Sequence, residues 1–177
     1  MENSPSIKPI AYNYGGSLAL IGILMLVIVY VFNINPDSTG NYIISIVSIL
    51  FNIAIFMYAI KEFKKKNNGF LSLSQALKVG LAVAAIGGII VGIYAYFHYS
   101  YIYPEFIDLM GEQQRMSMIE SGQVTDAQIE QSMEMTSFTR SAGFLTTMTL
   151  VSSLFFGFII SLIVGLIMKR KNPALEG

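Results

Sequence analysis

Four long apolar stretches alternate with polar segments along the chain. They cover residues 14–32, 42–60, 77–97 and 142–168, and Lys78 is the one charged residue that they contain. A helix of about 20 apolar residues crosses the hydrocarbon core of a bilayer. The pattern therefore predicts four transmembrane helices, with Lys78 close enough to a helix end for its ammonium group to reach the headgroups.

The proline positions and the first apolar stretch refine this prediction. All five prolines, at positions 5, 9, 36, 104 and 173, lie outside the four stretches, which favours continuous helices. A cleaved signal peptide is the alternative for the first stretch. Its apolar run of 18 residues exceeds the roughly 7–15 residues of a signal-peptide core, and no small-x-small cleavage site follows. We expect an uncleaved membrane helix.

Residues 104–141 differ from the rest of the chain because they carry seven acidic and two basic side chains. Pro104 suits a first helical turn, Ser121 and Gly122 interrupt the pattern, and Thr125 with Gln128 has capping-box spacing. These signals predict two short helices. The expected fold class is all-α: an integral membrane four-helix bundle, a single transmembrane domain over residues 1–177, with a short acidic helical hairpin between transmembrane helices 3 and 4.

The composition agrees with a membrane protein. Hydrophobic residues make up 54% of the chain and charged residues 12%, against about 25% charged in soluble domains. The formal net charge is zero, and no basic run is interleaved with aromatic residues, so we expect no nucleic-acid partner. The absence of cysteine excludes thiol catalysis, disulfides and thiolate metal ligands.

Basic residues are concentrated after the second and fourth apolar stretches. Loops rich in Lys and Arg stay in the cytoplasm during membrane insertion. With both termini cytoplasmic, nine of the eleven basic residues lie on the cytoplasmic side. We therefore expect a multi-pass protein of the cytoplasmic membrane with N- and C-termini inside. The topology determinants are Lys61, Lys64, Lys65, Lys66, Lys169, Arg170 and Lys171.

Small residues recur every fourth position on the third and fourth apolar stretches. Lipid tails are as apolar as leucine, so membrane helices associate where small side chains let their backbones approach. The two stripes are expected to pack against each other within one chain; alternatively, one of them dimerises with a second copy. The helix-packing candidates are Gly80, Ala84, Gly88, Gly92, Ser153, Gly157, Ser161 and Gly165.

Asn52 is the intramembrane polar candidate, near the middle of the second apolar stretch. An unpaired amide in hydrocarbon costs several kcal/mol, so its side chain must face protein or water. Ser45 and Ser48 precede it at helical spacing, and Ala59 lies one heptad further on. A hydrogen bond between helices is the expected role, and a contact with a substrate or an ion is the alternative.

No catalytic, metal or cofactor pattern emerges from the remaining residues. The four stretches lack the acidic residues at depth that proton-coupled carriers and intramembrane aspartyl proteases need. His98 is a lone histidine at a predicted interface, Ser74 and Lys78 are explained by capping and reach to the headgroups, and the seven acids lack a calcium-loop pattern. We expect no catalytic residue, no metal, no cofactor and no enzyme activity.

Three short motifs carry a resemblance to a known family: Leu73–Gly80, Tyr103–Phe106 and the closing Ile163–Lys171. Together with the order of the spans, the basic second loop and the acidic loop between spans three and four, they make the chain similar to the domain of unknown function family 4199 (DUF4199). The resemblance implies a small four-helix inner-membrane protein of bacteria, chiefly Bacteroidota. The family has no assigned activity, so it implies no functional residues.

Three functional hypotheses remain open at this point. The first is a non-enzymatic accessory, assembly or interaction subunit, a possible homo-oligomer or the subunit of a membrane-protein partner in the lipid bilayer. The second is a small transporter or channel subunit acting as an oligomer around Asn52, and an enzyme comes third. The five methionines of the acidic segment are expected to pack within the hairpin and against the membrane surface. The alternative is a groove for a partner, since methionine suits adaptable apolar surfaces.

Overall fold

The protein is built from helices. Its structure, a computed structural model, describes residues 5–122 and 125–170. Six α-helices follow one another: α1 Lys8–Val31, α2 Thr39–Lys66, α3 Leu73–Phe97, α4 Glu105–Ser121, α5 Asp126–Met135 and α6 Ala142–Met168. A π-helical turn, His98–Ile102, extends α3, and a 3-10 turn, Ser137–Arg140, precedes α6. Of the predicted topology determinants, Lys171 lies outside the described residues.

Four of these helices are long and apolar enough to cross a membrane: α1, α2, α3 with its π-helical turn, and α6. The predicted fold class, a membrane four-helix bundle with a helical hairpin between the third and fourth spans, is confirmed. The first three of these helices begin before the predicted apolar stretches, and α2 also continues past its stretch, because polar residues extend them; α6 has the predicted bounds. The clearest case is α2, whose last turn holds Lys64, Lys65 and Lys66, where positive charge interacts favourably with the helix dipole.

Local sequence signals set the ends of several helices. Ser72 caps the start of α3: its Oγ accepts from Gln75 N at 3.2 Å, and Gln75 Oε1 accepts from Ser72 N at 2.9 Å. The predicted capping box of α5 is present at Thr125 and Gln128. The predicted break after α4 is also confirmed, since Gly122 has a left-handed φ of 61° that glycine adopts without steric cost.

The structure divides into two compact units, residues 1–91 with 150–177 and residues 92–149. In the first unit, α1, α2 and α3 succeed one another through short connections and α6 runs antiparallel to α3. The buried cluster draws on the first half of α1, the second half of α2, the first half of α3 and the second half of α6. These halves lie at one end of the bundle, because successive helices alternate in direction. The core of this unit therefore lies toward the end of the bundle where α2 ends with Lys64, Lys65 and Lys66.

Helix α3 also packs closely on α1 in the first unit. A Cβ atom added at Gly15 would lie 2.8 Å from Ile86, and one added at Gly22 would lie 2.8 Å from Val91. The side chain of Leu18 contacts Gly87 in the same way. The two helices run parallel, since the contact positions advance together along both.

The second unit contains the acidic hairpin and the aromatic end of α3. Helices α4 and α5 form the hairpin, and Ile129 of α5 is buried. The ring of Tyr99 stacks on Phe106 at 5.1 Å between centroids, and Tyr103 lies 5.6 Å from the same ring. These rings join the π-helical turn to the first turn of α4.

Candidate functional site

The two stripes of small residues lie against each other within one chain. Along the antiparallel pair of α3 and α6, Gly80 faces Ser161, Gly157 faces Ala84, and Gly88 faces Ser153. A Cβ atom added at Gly157 would lie 2.6 Å from that of Ala84, and one added at Gly165 would lie 2.7 Å from that of Ala76. No larger residue fits there without moving a helix. In the second unit, Gly92 lies beside Thr146 at ordinary van der Waals distance.

The α3–α6 interface contains two serine hydroxyls with different surroundings. Ser153 Oγ donates to the backbone oxygen of Ala84 at 2.9 Å, so a side chain of α6 is bonded to the backbone of α3. Ser161 is fully buried, and its Oγ has no hydrogen-bond partner among the described residues. Its small volume against Gly80 explains its place in this interface.

Asn52 lies on the side of α2 that continues into the buried core. The stripe formed by positions 52, 56, 59 and 63 is half-buried at Asn52 and sealed at Phe56, Ala59 and Phe63. Within residues 5–122 and 125–170, the Asn52 amide has no hydrogen-bond partner. Ser45 Oγ donates to the backbone of its own helix, at Asn41 O and 2.9 Å. Among the described residues, the expected hydrogen bond from Asn52 to another helix is not formed.

The predicted basic loop, residues 61–70, holds the end of α6, and its four lysines lie in the last two turns of α2. Leu71 and Arg170 exchange two backbone hydrogen bonds of 2.9 Å each, and the Arg170 guanidinium lies over the Phe70 ring at 5.6 Å from its centroid. Lys64 Nζ donates to Met168 O at 2.7 Å, which satisfies a terminal carbonyl of α6. These contacts keep basic residues of both segments at one end of the bundle.

The turn that shapes this loop depends on left-handed backbone. Asn68 has a φ of 54° and Gly69 a φ of 82°, and Gly69 N donates to Lys64 O at 2.9 Å. Glu62, in the last turns of α2, accepts from Tyr14 Oη at 2.8 Å and from Lys66 Nζ at 2.6 Å. Lys61, Lys65 and Lys169 are exposed, so they remain accessible to water and headgroups.

Arg140 organises the acidic hairpin through neutral acceptors. Its Nη1 donates to Gln114 Oε1 at 2.7 Å and to Thr136 Oγ1 at 3.3 Å, and its Nη2 donates to Met133 O at 2.9 Å. Gln114 Nε2 also donates to Thr136 Oγ1 at 3.1 Å. One guanidinium therefore connects α4, the end of α5 and the 3-10 turn. An open cleft of about 460 Å³ beside it is lined by Ile107, Asp108, Gly111, Glu112, Arg115, Met133 and Arg140.

The outer surface of the hairpin combines negative charge with large apolar side chains. All seven acidic residues of the segment are exposed, and the one ion pair found there among the described residues, Arg115 with Glu130, is long at 4.0 Å. Four large apolar side chains are also exposed: Met116 56%, Ile119 48%, Met135 70% and Phe138 62%. The apolar residues of the segment are thus only partly packed within the hairpin.

The candidates for chemistry lie in ordinary surroundings. His98 is buried among the rings of Tyr94, Tyr99 and Tyr103, whose centroids lie 5.2–6.2 Å from that of the imidazole. Ser74 and Lys78 are both exposed. In the part of the chain that the structure describes, no three His, Asp or Glu side chains are grouped so that they could hold a metal ion.

Several of these contacts were not predicted from the sequence. The sequence identified Arg140 only as one of the two basic residues in the acidic segment. It identified Lys64 only as a topology determinant. The spacing of four residues between Thr136 and Arg140 could have predicted their contact. No such local signal links Arg140 to Gln114, which lies 26 residues away in the sequence. The glycines of α1 that contact α3 also had a signal, because Gly15 and Gly22 are one heptad apart.

These features define a multi-pass α-helical membrane protein with an ordered hairpin outside its long apolar helices. The family described as "Protein of unknown function (DUF4199)" matches residues 13–170. The chain belongs to this family, as the resemblance in its motifs indicated. No curated protein and no solved structure matches the chain.

Proposed function

We propose that this protein is a non-enzymatic interaction or assembly subunit of the bacterial inner membrane, and that its acidic hairpin binds a partner protein. The observation that carries the proposal is the exposure of Met116, Ile119, Met135 and Phe138 on an ordered hairpin. Large exposed apolar groups framed by charged residues are typical of interaction surfaces. Methionine side chains adapt to the shape of a partner.

The charge of the hairpin favours a partner with a basic surface. Residues 104–141 carry a net charge of minus five, from seven acidic and two basic side chains. This charge repels the anionic headgroups of a bilayer, and it attracts Lys and Arg side chains that surround an apolar patch. A protein partner therefore suits this surface better than the membrane itself.

The hairpin is arranged before any partner binds, which reduces the entropic cost of association. The Arg140 hydrogen bonds connect α4, α5 and the 3-10 turn, and the Thr125 capping box fixes the start of α5. The apolar side chains are therefore presented on a fixed backbone.

The proposed orientation has both termini in the cytoplasm and the hairpin in the periplasm. It is supported by the positive-inside rule, because nine of the eleven basic residues then face the cytoplasm. A reporter enzyme that is active only in the periplasm, inserted after Gly122, is expected to be active. Activity of the same reporter after Asn68, in the basic loop, together with silence after Gly122, would refute the orientation.

Site-specific crosslinking in native membranes tests the partner. A photoreactive amino acid at Ile119 or Met135 is expected to give one defined adduct with another protein, in stoichiometric yield. Ser117 is the matched control, since it is exposed on α4 but lies on a different side of the helix from Ile119. Adducts only with lipid, or equal adducts from Ser117, would contradict the proposal.

A small transporter or channel subunit acting as an oligomer is the second candidate. The Asn52 amide supports it, because a mid-span amide that has no hydrogen-bond partner among the described residues is suited to a polar solute or to a second copy. If Asn52→Leu leaves membrane assembly intact but abolishes a flux or growth phenotype, this second function is favoured. Crosslinks from Met135 only to further copies of the chain would point in the same direction.

A further inference from the structure

One side of α2 changes from polar and accessible to apolar and buried along its length. Positions separated by three and four residues share a side of an α-helix. On this side Ser45 is exposed, Ser48 and Asn52 are half-buried, and the next positions are sealed. The sealed positions are Phe56 at 2% exposure, Ala59 at 0% and Phe63 at 1%.

Asn52 lies at the middle of α2, which spans Thr39–Lys66. At 1.5 Å per residue, its Cα is about 20 Å from each end of the helix. An amide side chain offers two donors and one acceptor, and within residues 5–122 and 125–170 none of them is used. Leaving such a group in hydrocarbon costs several kcal/mol. Water or another polar group must therefore reach it.

The side of α2 on which Asn52 lies indicates whether water or a polar group of another chain reaches its amide. The stripe that it shares with Phe56 and Ala59 faces the buried core of the bundle, whereas Leu50, 61% exposed, lies on the opposite side of α2. A helix of another chain would approach the outer side, where Leu50 lies. Before Phe56 the stripe remains accessible, because Ser45 is exposed and Ser48 and Asn52 are half-buried, and the two serines provide hydroxyls along it.

Phe56 explains why this polar stripe ends where it does. Its ring lies 3.2 Å from the position that a Cβ atom would take at Gly157 of α6. The glycine leaves room for the ring, and the ring fills the space between α2 and α6. From Phe56 onward the side is apolar and sealed, so water has no path further along it.

We propose that a water-filled cleft follows Ser45, Ser48 and Asn52 from the end of the bundle where α1 and α2 connect, and ends at Phe56. At its floor the Asn52 amide binds water or a small neutral solute that offers both a donor and an acceptor. The inference does not depend on the proposed role of the acidic hairpin.

The cysteine-free chain permits a direct test by single-cysteine labelling of permeabilised membranes with a charged thiol reagent. Asn52→Cys and Ser48→Cys are expected to react at least about tenfold faster than Leu50→Cys, because thiols react as thiolates and hydrocarbon suppresses their ionisation. Leu50 is the matched control, two residues from Asn52 in depth and on the opposite side. Ala59→Cys, below Phe56, is expected to be as slow as Leu50→Cys.

Three results would overturn the proposal. Asn52→Cys and Ser48→Cys could both react as slowly as Leu50→Cys, which would mean that no water reaches them. Leu50→Cys could react as fast as Asn52→Cys, which would mean that water does not reach one side of α2 in preference to the other. Asn52→Cys could be protected from the reagent and form a disulfide between two chains under mild oxidant, which would place a second copy there. If Asn52→Cys does not accumulate in membranes, Ser48→Cys decides, because Ser and Cys are nearly equal in size.

Adding a neutral amide such as urea or acetamide at increasing concentration distinguishes water from a solute at the floor. If the Asn52 amide binds such a solute, the added amide should slow the labelling of Ser48→Cys more strongly when Asn52 is intact than when Asn52 is replaced by Leu. If the added amide slows the labelling of Ser48→Cys equally in these two backgrounds, the Asn52 amide binds only water.

Discussion

The α3–α6 interface and the α4–α5 hairpin are held together by different kinds of contact. Between α3 and α6, glycine, alanine and serine bring two backbones together, and Ser153 Oγ donates a hydrogen bond to Ala84 O across the interface. In the hairpin, a single guanidinium bonds to neutral acceptors on three residues, and all seven acids remain exposed.

The difference follows from the solvent of each region. Within a bilayer, apolar side chains gain little by leaving lipid, so close fit between helices supplies the association energy. The hairpin is polar, and α5, with 10 residues, is too short to be stable alone in water. Caps and charge-assisted hydrogen bonds therefore hold it. Substitutions that add volume should damage the first region most, and those that remove a donor should damage the second.

The largest effect is expected from Gly157→Val. The new side chain would overlap Ala84 and Phe56, and overpacking of this kind costs roughly 1–3 kcal/mol or more. We expect a lower melting temperature in detergent and reduced accumulation in membranes. Gly16→Val is the matched control, since a Cβ atom there meets nothing within 4 Å. Equal stability of the two variants would refute the close α3–α6 contact.

A smaller and local effect is expected from Arg140→Gln. The variant loses the bonds to Gln114 and Met133 O, and bonds to charged groups contribute about 1.5–3 kcal/mol each when buried, less here because Arg140 is half-buried. Hydrogen exchange of residues 105–122 and 125–140 should accelerate while that of 76–88 stays unchanged.

The control for this prediction is Arg115→Gln. Arg115 is exposed and 4.0 Å from Glu130, and exposed pairs of this kind contribute about 0–1 kcal/mol. Faster exchange in the Arg115 variant than in the Arg140 variant would mean that the guanidinium network does not hold the hairpin.

The smallest effect is expected from Thr125→Ala. Removing the cap of α5 costs about 0.5–2 kcal/mol, and it should increase hydrogen exchange in the first turn of α5 without changing the melting temperature of the membrane helices. Ser117→Ala, on the exposed surface of α4, serves as the comparison and should leave exchange unaltered. An unchanged first turn in the Thr125 variant would show that the capping box contributes nothing measurable.

Much of the fold could be predicted because its signals are local. The four apolar lengths, the Ser121–Gly122 break and the Thr125 capping box each depend on a few neighbouring residues, and each appears in the structure. The candidate site was less predictable. The partners of Arg140 and Lys64 lie 26 and 104 residues away, and no local pattern encodes contacts at such distances.

By itself, the sequence determined which segments are long and apolar enough to cross a membrane, because span length and charge are properties of the chain alone. It also determined that the third and fourth stretches carry small residues at helical spacing. Only the tertiary structure decided that those stripes meet within one chain, that Asn52 shares a side with the buried Phe56, and that Arg140 bonds to Gln114. The physical reason is that such contacts depend on the register between distant helices, which packing sets.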